Sequence, residues 1–321
     1  RLTDVTGVQT CALPISPCAG SGSVKQTARQ SPDLHSVPSL AHFERMIPNC
    51  IDTVNQARRE GRKIVSIFCE YTPREIIMAA GAVPVCMCGG SNRTAKLAEA
   101  ELPSNLCPLI KSSYGYLLDG SSPLFEASDF VVAETTCDGK KKMYELLGRS
   151  KPMHILELTQ KPGEDAAWKH WLAEVQLLRQ QMEELTGNRI TDESLRSAIR
   201  RMNEERQLRL AISQWAGKGL TGREVLLCKS SVSCTDDDIA AYRRILSELE
   251  AKGEQQDGKP RILLTGVPLP HGAEKVLDII ERAGATVVVQ ENCTGIKPLY
   301  EMVSEDGDPL EAIARKYFAL P

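Results

Sequence analysis

The chain has 321 residues, of which 42% are hydrophobic and 25% charged, with a formal net charge of −3. That is enough chain for two domains with cores of their own, in the composition of a soluble globular protein. No basic excess suits nucleic acid and no apolar run approaches the length of a membrane span, so neither is expected as a partner.

Eleven cysteines, an odd number without a secretory signal, lead to the expectation of a reducing cytoplasm, where thiols serve metals or catalysis more often than disulfides. Arg1 is not a start methionine, and Val5-Thr-Gly-Val-Gln-Thr-Cys-Ala-Leu-Pro-Ile15 reads like a translated sequencing adapter. Residues 1–16, Cys11 included, are therefore set aside as an artefact. Residues 17–35, rich in Ser, Gly and Pro and containing Cys18, are expected to be a disordered lead-in.

From there the pattern is α/β. An amphipathic helix at about 40–60 precedes the apolar run Ile64–Phe68, too short for a helix and suited to a buried strand. Thr72 is placed as N-cap and Pro73 at the first position of a helix running to Gly81, after which Val83–Val85 begins a strand. A helix over Leu109–Leu118, a strand over Phe130–Glu134, a helix over Lys140–Leu147 and a strand over Met153–Glu157 follow. This alternation implies a parallel sheet covered on both faces.

Two long helices come next. One is marked by Trp168, Trp171, Leu172, Val175, Leu178, Met182 and Leu185, the other by Leu195, Ile199 and Met202 after Thr191, and the tryptophans read as core anchors. A strand-like run over Glu224–Leu227 then leads through Ser231–Asp238 into a charged helix. The strand Arg261–Thr265, a helix ending at Ala283-Gly284 and the strand Thr286–Gln290 make a second α/β unit. The boundaries read as a first α/β domain over 36–162, a helical connector over 163–220 and a second α/β domain over 221–321. Because the chain stops at Phe318-Ala-Leu-Pro321, after a helix and where a strand is expected, the second domain is expected to be incomplete and the sequence a gene fragment at both ends.

Cys69, Cys86 and Cys88 end strands, Cys107 and Cys137 stand before helices, and Cys293 follows the last strand. Parallel sheets bind ligands outside the carboxyl ends of their strands, so these thiols are expected along one edge, near helix N–H groups that favour thiolates and anions. Thiolates are what iron–sulfur clusters require. The spacings lack the compact C-x-x-C pattern of a strong metal motif, and Cys50, Cys86 and Cys228 read as small buried hydrophobes. Lys140, Lys141 and Lys142 open a helix, where they oppose its dipole; they read either as complements to a nearby anion or as a solvated face. Thr265–Gly272 lacks the phosphate-loop pattern, and no nucleotide-hydrolysing motif is present. His271, in a strand-to-helix loop, reads as a proton donor or a solvent-facing cap, and His154 as structural. Ser112 and Tyr114 read as ligand-bonding or packing residues.

Four stretches together carry a resemblance: Ile67-Phe-Cys-Glu-Tyr-Thr-Pro-Arg-Glu75 with Ala79-Ala-Gly-Ala-Val-Pro84; Leu102-Pro-Ser-Asn-Leu-Cys-Pro-Leu-Ile-Lys-Ser-Ser-Tyr-Gly115; Glu134-Thr-Thr-Cys-Asp-Gly-Lys-Lys-Lys-Met-Tyr-Glu145; and Glu291-Asn-Cys-Thr-Gly295. From about residue 40 onward the chain resembles the 2-hydroxyacyl-CoA dehydratase family, and within it the double-cubane-cluster anaerobic reductases. The resemblance implies two doubly wound parallel-sheet α/β domains joined by helices, the second truncated here, with an iron–sulfur cluster (4Fe–4S or double-cubane 8Fe–9S) in the cleft between them. It implies Cys107 and Cys137, then Cys69 and Cys293, as ligands, with Cys88 weaker and Lys140 and Lys141 beside the cofactor. It also implies low-potential electrons from a separate ATP-hydrolysing iron–sulfur activator, a small substrate such as an acyl-CoA, and a homodimer or heterodimer. The activity is then that of a reductase, with two alternatives: a dehydratase subunit removing water from a 2-hydroxyacyl-CoA through a ketyl radical, and a non-catalytic cluster carrier. A cluster of the larger kind needs more thiolates than these four, so this fragment itself is expected to be inactive.

Overall fold

The computed structural model describes residues 37–320 apart from Gly90, so the expectations for residues 1–16 and 17–35 fall outside the described residues. A 3-10 turn (Pro38–Leu40) leads into α1 (Ala41–Glu44) and α2 (Met46–Arg59). The first sheet and its connections then follow in chain order: β1 (Ile64–Ile67), α3 (Arg74–Ala79), β2 (Val83–Cys86), α4 (Asn92–Ala95), α5 (Pro108–Asp119), α6 (Pro123–Glu126), β3 (Phe130–Glu134), α7 (Asp138–Leu147) and β4 (Met153–Leu156). Two 22-residue helices come next, α8 (Asp165–Thr186) and α9 (Asp192–Ser213). The chain continues through α10 (Gly222–Leu227), α11 (Asp236–Lys252), β5 (Arg261–Thr265), α12 (Lys275–Arg282), β6 (Thr286–Glu291) and α13 (Pro309–Phe318).

The strands form two parallel sheets, of order β2-β1-β3-β4 and β5-β6. Parallel pairing requires a crossover between strands, and here helices supply it. In the first sheet β1, β2 and β3 are buried on both faces, as their largely apolar content demands, while the edge strand β4 is partly exposed. Val65, Ile67 and Val132 face Ile76, Trp171, Val175 and Ile199 in one core, while Val131 and Ala133 face Ile110, Tyr114, Met143 and Tyr144 in another. A third core joins Met46, Cys50 and Val54 to Ile64, Val83 and Val85. In the second sheet Val287 packs with Leu226 and Leu277.

Trp171, 1% exposed, donates its indole N–H to the Ala314 carbonyl at 2.9 Å and so pins α8 to α13. Trp168 is half-buried, edge-on to Phe318 with the Arg315 guanidinium over its ring. Both tryptophans therefore serve packing.

Two local expectations are corrected. Glu224–Leu227 is not a strand: it lies in α10, which a capping box starts, the Glu224 N–H donating to Thr221 Oγ1 at 3.1 Å and the Thr221 N–H to Glu224 Oε2 at 2.8 Å. A four-residue apolar run has too little periodicity to distinguish strand from helix, and the cap decides. The N-cap of α3 is Pro73, one residue later than Thr72. Among the described residues no helix is long and apolar enough to cross a membrane.

Candidate functional site

Parallel strands put their carboxyl ends on one side, and register then decides which residues stand abreast. β1 pairs with β2 as Ile67↔Cys86 and with β3 as Ile67↔Val132. Continued two residues onward, that register aligns Cys88, Cys69 and Glu134 in a row along the rim. Cys88 Sγ donates to the Phe68 carbonyl at 2.9 Å, which ties the row together.

Cys69 is buried. Its thiol lies close enough to that of Cys293, from the loop after β6, for the two to perturb each other. That proximity, then burial and the charge of Glu134, pushes the Cys69 thiol well above its ordinary range. Cys86 and Cys88 make a second thiol pair: the neighbouring Cys88 brings Cys86 down to about 6 against the effect of burial, with Arg74 assisting, while Cys86 and burial push Cys88 up. Cys86 thus borders the core, as expected of a small hydrophobe, and is also a rim thiol.

Cys107 and Cys137 are the N-caps of α5 and α7, and both are exposed. The two helix starts approach closely: a Cβ on Gly139 would lie 2.8 Å from Leu106 Cδ1 and 2.9 Å from Ile110 Cδ1, so a larger residue there needs those side-chain ends to move. Cys50 and Cys228 are buried, as expected. Among the described residues no three His, Cys, Asp or Glu side chains converge closely enough to hold one metal ion.

The loop presenting Cys293 is held by Asn292, 1% exposed, whose Oδ1 accepts from Thr294 N (3.1 Å), Thr294 Oγ1 (2.8 Å) and Gly295 N (2.9 Å). A Cβ on Gly295 would stand 2.0 Å from the Gln290 carbonyl oxygen, which fixes glycine at that position.

Each of the three lysines finds a carboxylate within the chain. Lys140 donates to Glu134 at 2.6 Å, Lys141 to Asp138 at 3.2 Å and Lys142 to Glu145 at 2.8 Å. Lys141 and Lys142 are surface pairs, whereas Lys140 is 16% exposed and Glu134 fully buried. Burial opposes the charge on Lys140, but Cys69, Glu134 and Cys88 outweigh it and hold its pKa above the ordinary lysine value. Glu134 also accepts from the Thr136 N–H (2.8 Å) and the Tyr144 hydroxyl (3.3 Å).

Other polar residues at the site gave no local signal in sequence. Glu70, 6% exposed, has one carboxylate oxygen without a hydrogen bond, and burial raises its pKa although the Cys293 thiol opposes this. Behind it a cleft is lined by Arg74, Arg206, Lys316 and Tyr317. Glu75 accepts there from Arg206 at 2.6 Å and from the Tyr317 hydroxyl at 2.8 Å, contacts spanning 131 and 242 residues of chain. Ser112 and Tyr114 have internal partners, Leu109 O and Glu101, and His271 lies 3.9 Å from Glu274. His154, in β4, has its Nε2 unpaired and its pKa lowered by burial.

The fold and rim define an α/β protein with thiols gathered at the carboxyl ends of parallel strands. Residues 69–321 match the family model described as 2-hydroxyglutaryl-CoA dehydratase, D-component. The chain belongs to the 2-hydroxyacyl-CoA dehydratase family. It is similar to YjiM of Escherichia coli (strain K12), which carries the name of a dehydratase subunit, at 41% identity over 282 residues, 84% of this chain and 72% of YjiM. It is also similar to a subunit of benzoyl-CoA reductase from Thauera aromatica (24% over 267 residues; 79% of this chain, 67% of that protein). The (R)-phenyllactyl-CoA dehydratase beta subunit of Clostridium sporogenes is 22% identical over 265 residues (80% of this chain, 69% of that protein). The relatives are thus subunits of dehydratases and reductases, which gives this chain an enzyme-related role.

Proposed function

We propose that this chain is an iron–sulfur subunit of an anaerobic reductase, with the cluster held between two α/β domains by Cys69, Cys107, Cys137 and Cys293. The observation that supports this reading is the proximity of the Cys69 and Cys293 thiols, which follow strands of different sheets; Cys107 and Cys137 are exposed at the starts of α5 and α7. Thiols are the donors such a cluster takes, and a multi-iron cluster accepts them at separate corners rather than crowded on one ion. Bound there, it supplies a low-potential electron. Cys107 and Cys137 are exposed at the starts of α5 and α7, where their sulfurs are open to a metal centre. Cys69, buried as a thiol, would give up its proton on binding metal. Lys140, with Lys141 further out, lends positive charge to the same rim.

In this reading an ATP-hydrolysing iron–sulfur activator delivers the electrons, the substrate is a small molecule of the acyl-CoA kind, and the working protein is a homodimer or heterodimer. The names carried by YjiM and the Clostridium protein favour a second reading, a dehydratase subunit that removes water from a 2-hydroxyacyl-CoA.

The test is iron and sulfide analysis of the chain purified without oxygen. Cys137→Ser is expected to lower bound iron and bleach the brown absorbance while far-UV circular dichroism is kept, because the side chain is exposed; unchanged iron removes Cys137 from the ligand set. Assays with activator and ATP then separate net reduction of a thioester from water elimination. Neither reaction in iron-replete protein leaves a cluster carrier.

A further inference from the structure

A buried acid–base pair, Glu134 with Lys140, stands at the rim, and its placement is specific. Register continued from Ile67↔Val132 puts Glu134 beside Cys69. From there its carboxylate, 0% exposed, holds the Lys140 ammonium at 2.6 Å, and the Thr136 N–H and Tyr144 hydroxyl fix its orientation at 2.8 and 3.3 Å. Lys140 comes from the first turn of α7, immediately after the Cys137 cap. A single carboxylate at the end of β3 therefore anchors a cation from the next helix against the row of rim thiols. Both charges lie where water screens them poorly, so they act on the thiols far more strongly than the surface pairs of Lys141 and Lys142.

We propose that Glu134 is a positioning residue which fixes the Lys140 ammonium at the thiol rim, and that this buried pair sets the reduction potential of the iron–sulfur centre held there. The inference rests on the iron–sulfur reading above. A nearby positive charge stabilises the reduced, more negative centre, and a nearby negative charge destabilises it. The two members of the pair must therefore act with opposite sign.

The experiment is a spectroscopically monitored redox titration of the full chain, loaded with iron and sulfide under anaerobic conditions, with iron per chain measured for every variant. Lys140→Met is expected to move the midpoint to more negative potential and Glu134→Gln to more positive potential, with iron content kept. Lys140→Arg, which retains the charge, keeps the original midpoint. The double variant Glu134→Gln/Lys140→Met returns towards it, as a pairwise charge effect requires and a packing defect does not. Midpoints that stay put, or that move in the same direction in both single variants at unaltered iron content, overturn the inference while leaving the iron–sulfur reading standing. An unaltered chain that binds no iron overturns both.

Discussion

Replacing Arg206 with methionine tests the buried charge network behind the rim. Arg206 and Glu75 side chains are 4% and 0% exposed, so solvent screening cannot discount their 2.6 Å contact. The substitution keeps the side chain's apolar length and removes its charge, leaving Glu75 hydrogen-bonded to the Tyr317 hydroxyl but to no cation. Breaking a buried pair from one side costs about 3–5 kcal/mol, because the remaining charge is uncompensated.

The pH dependence makes the prediction sharper. In the intact protein burial works to raise the Glu75 pKa, but Arg206, the backbone and Tyr317 outweigh it and hold it below the ordinary carboxylate value. Glu75 therefore contributes stability that is present above the unfolded pKa and is lost as pH falls through the lower, folded one. Without Arg206 the effect of burial dominates and the folded pKa rises above the unfolded one. The variant then loses stability as pH rises, since the folded state binds the extra proton. Urea unfolding followed by circular dichroism should give a cost near the full value at about pH 8 and a clearly smaller one at about pH 5. A cost below about 1 kcal/mol at the higher pH, far under that expected of a broken buried pair, or one that grows on acidification, refutes the reasoning.

Trp171→Ala should cost about 3–5 kcal/mol of unfolding free energy, the usual range for emptying a fully buried aromatic site, without altering iron per folded chain; direct loss of iron in folded protein would give Trp171 a role beyond packing. Asn292→Ala leaves three donors in the Cys293 loop without their acceptor, and should destabilise by about 1–3 kcal/mol and speed iodoacetamide labelling of Cys293; an unchanged labelling rate would mean the loop holds its shape without Asn292. Thr221→Ala removes the cap of α10 and should cost about 1 kcal/mol in the same unfolding assay; a value near zero would mean packing alone keeps that turn helical.

Much of the fold is legible in the chain itself, because local periodicity carries it. Phe130–Glu134 reads as a strand from five residues, α8 and α9 from apolar positions three and four apart, and the Asn-Cys-Thr-Gly stretch from its place after a strand. The exception, Glu224–Leu227, shows where periodicity fails: the run is too short, and the cap three residues earlier carries the information. The thiol rim is half legible, since parallel sheets align their carboxyl ends whatever the side chains. Which thiols touch is not legible. Cys69 and Cys293 are separated by most of the chain, and the order β2-β1-β3 alone puts Cys88, Cys69 and Glu134 side by side. The three lysines looked alike in sequence. Only the folded chain distinguishes Lys140, because burial against Glu134 is a property of where α7 lands on the sheet, and a row of identical residues says nothing about that.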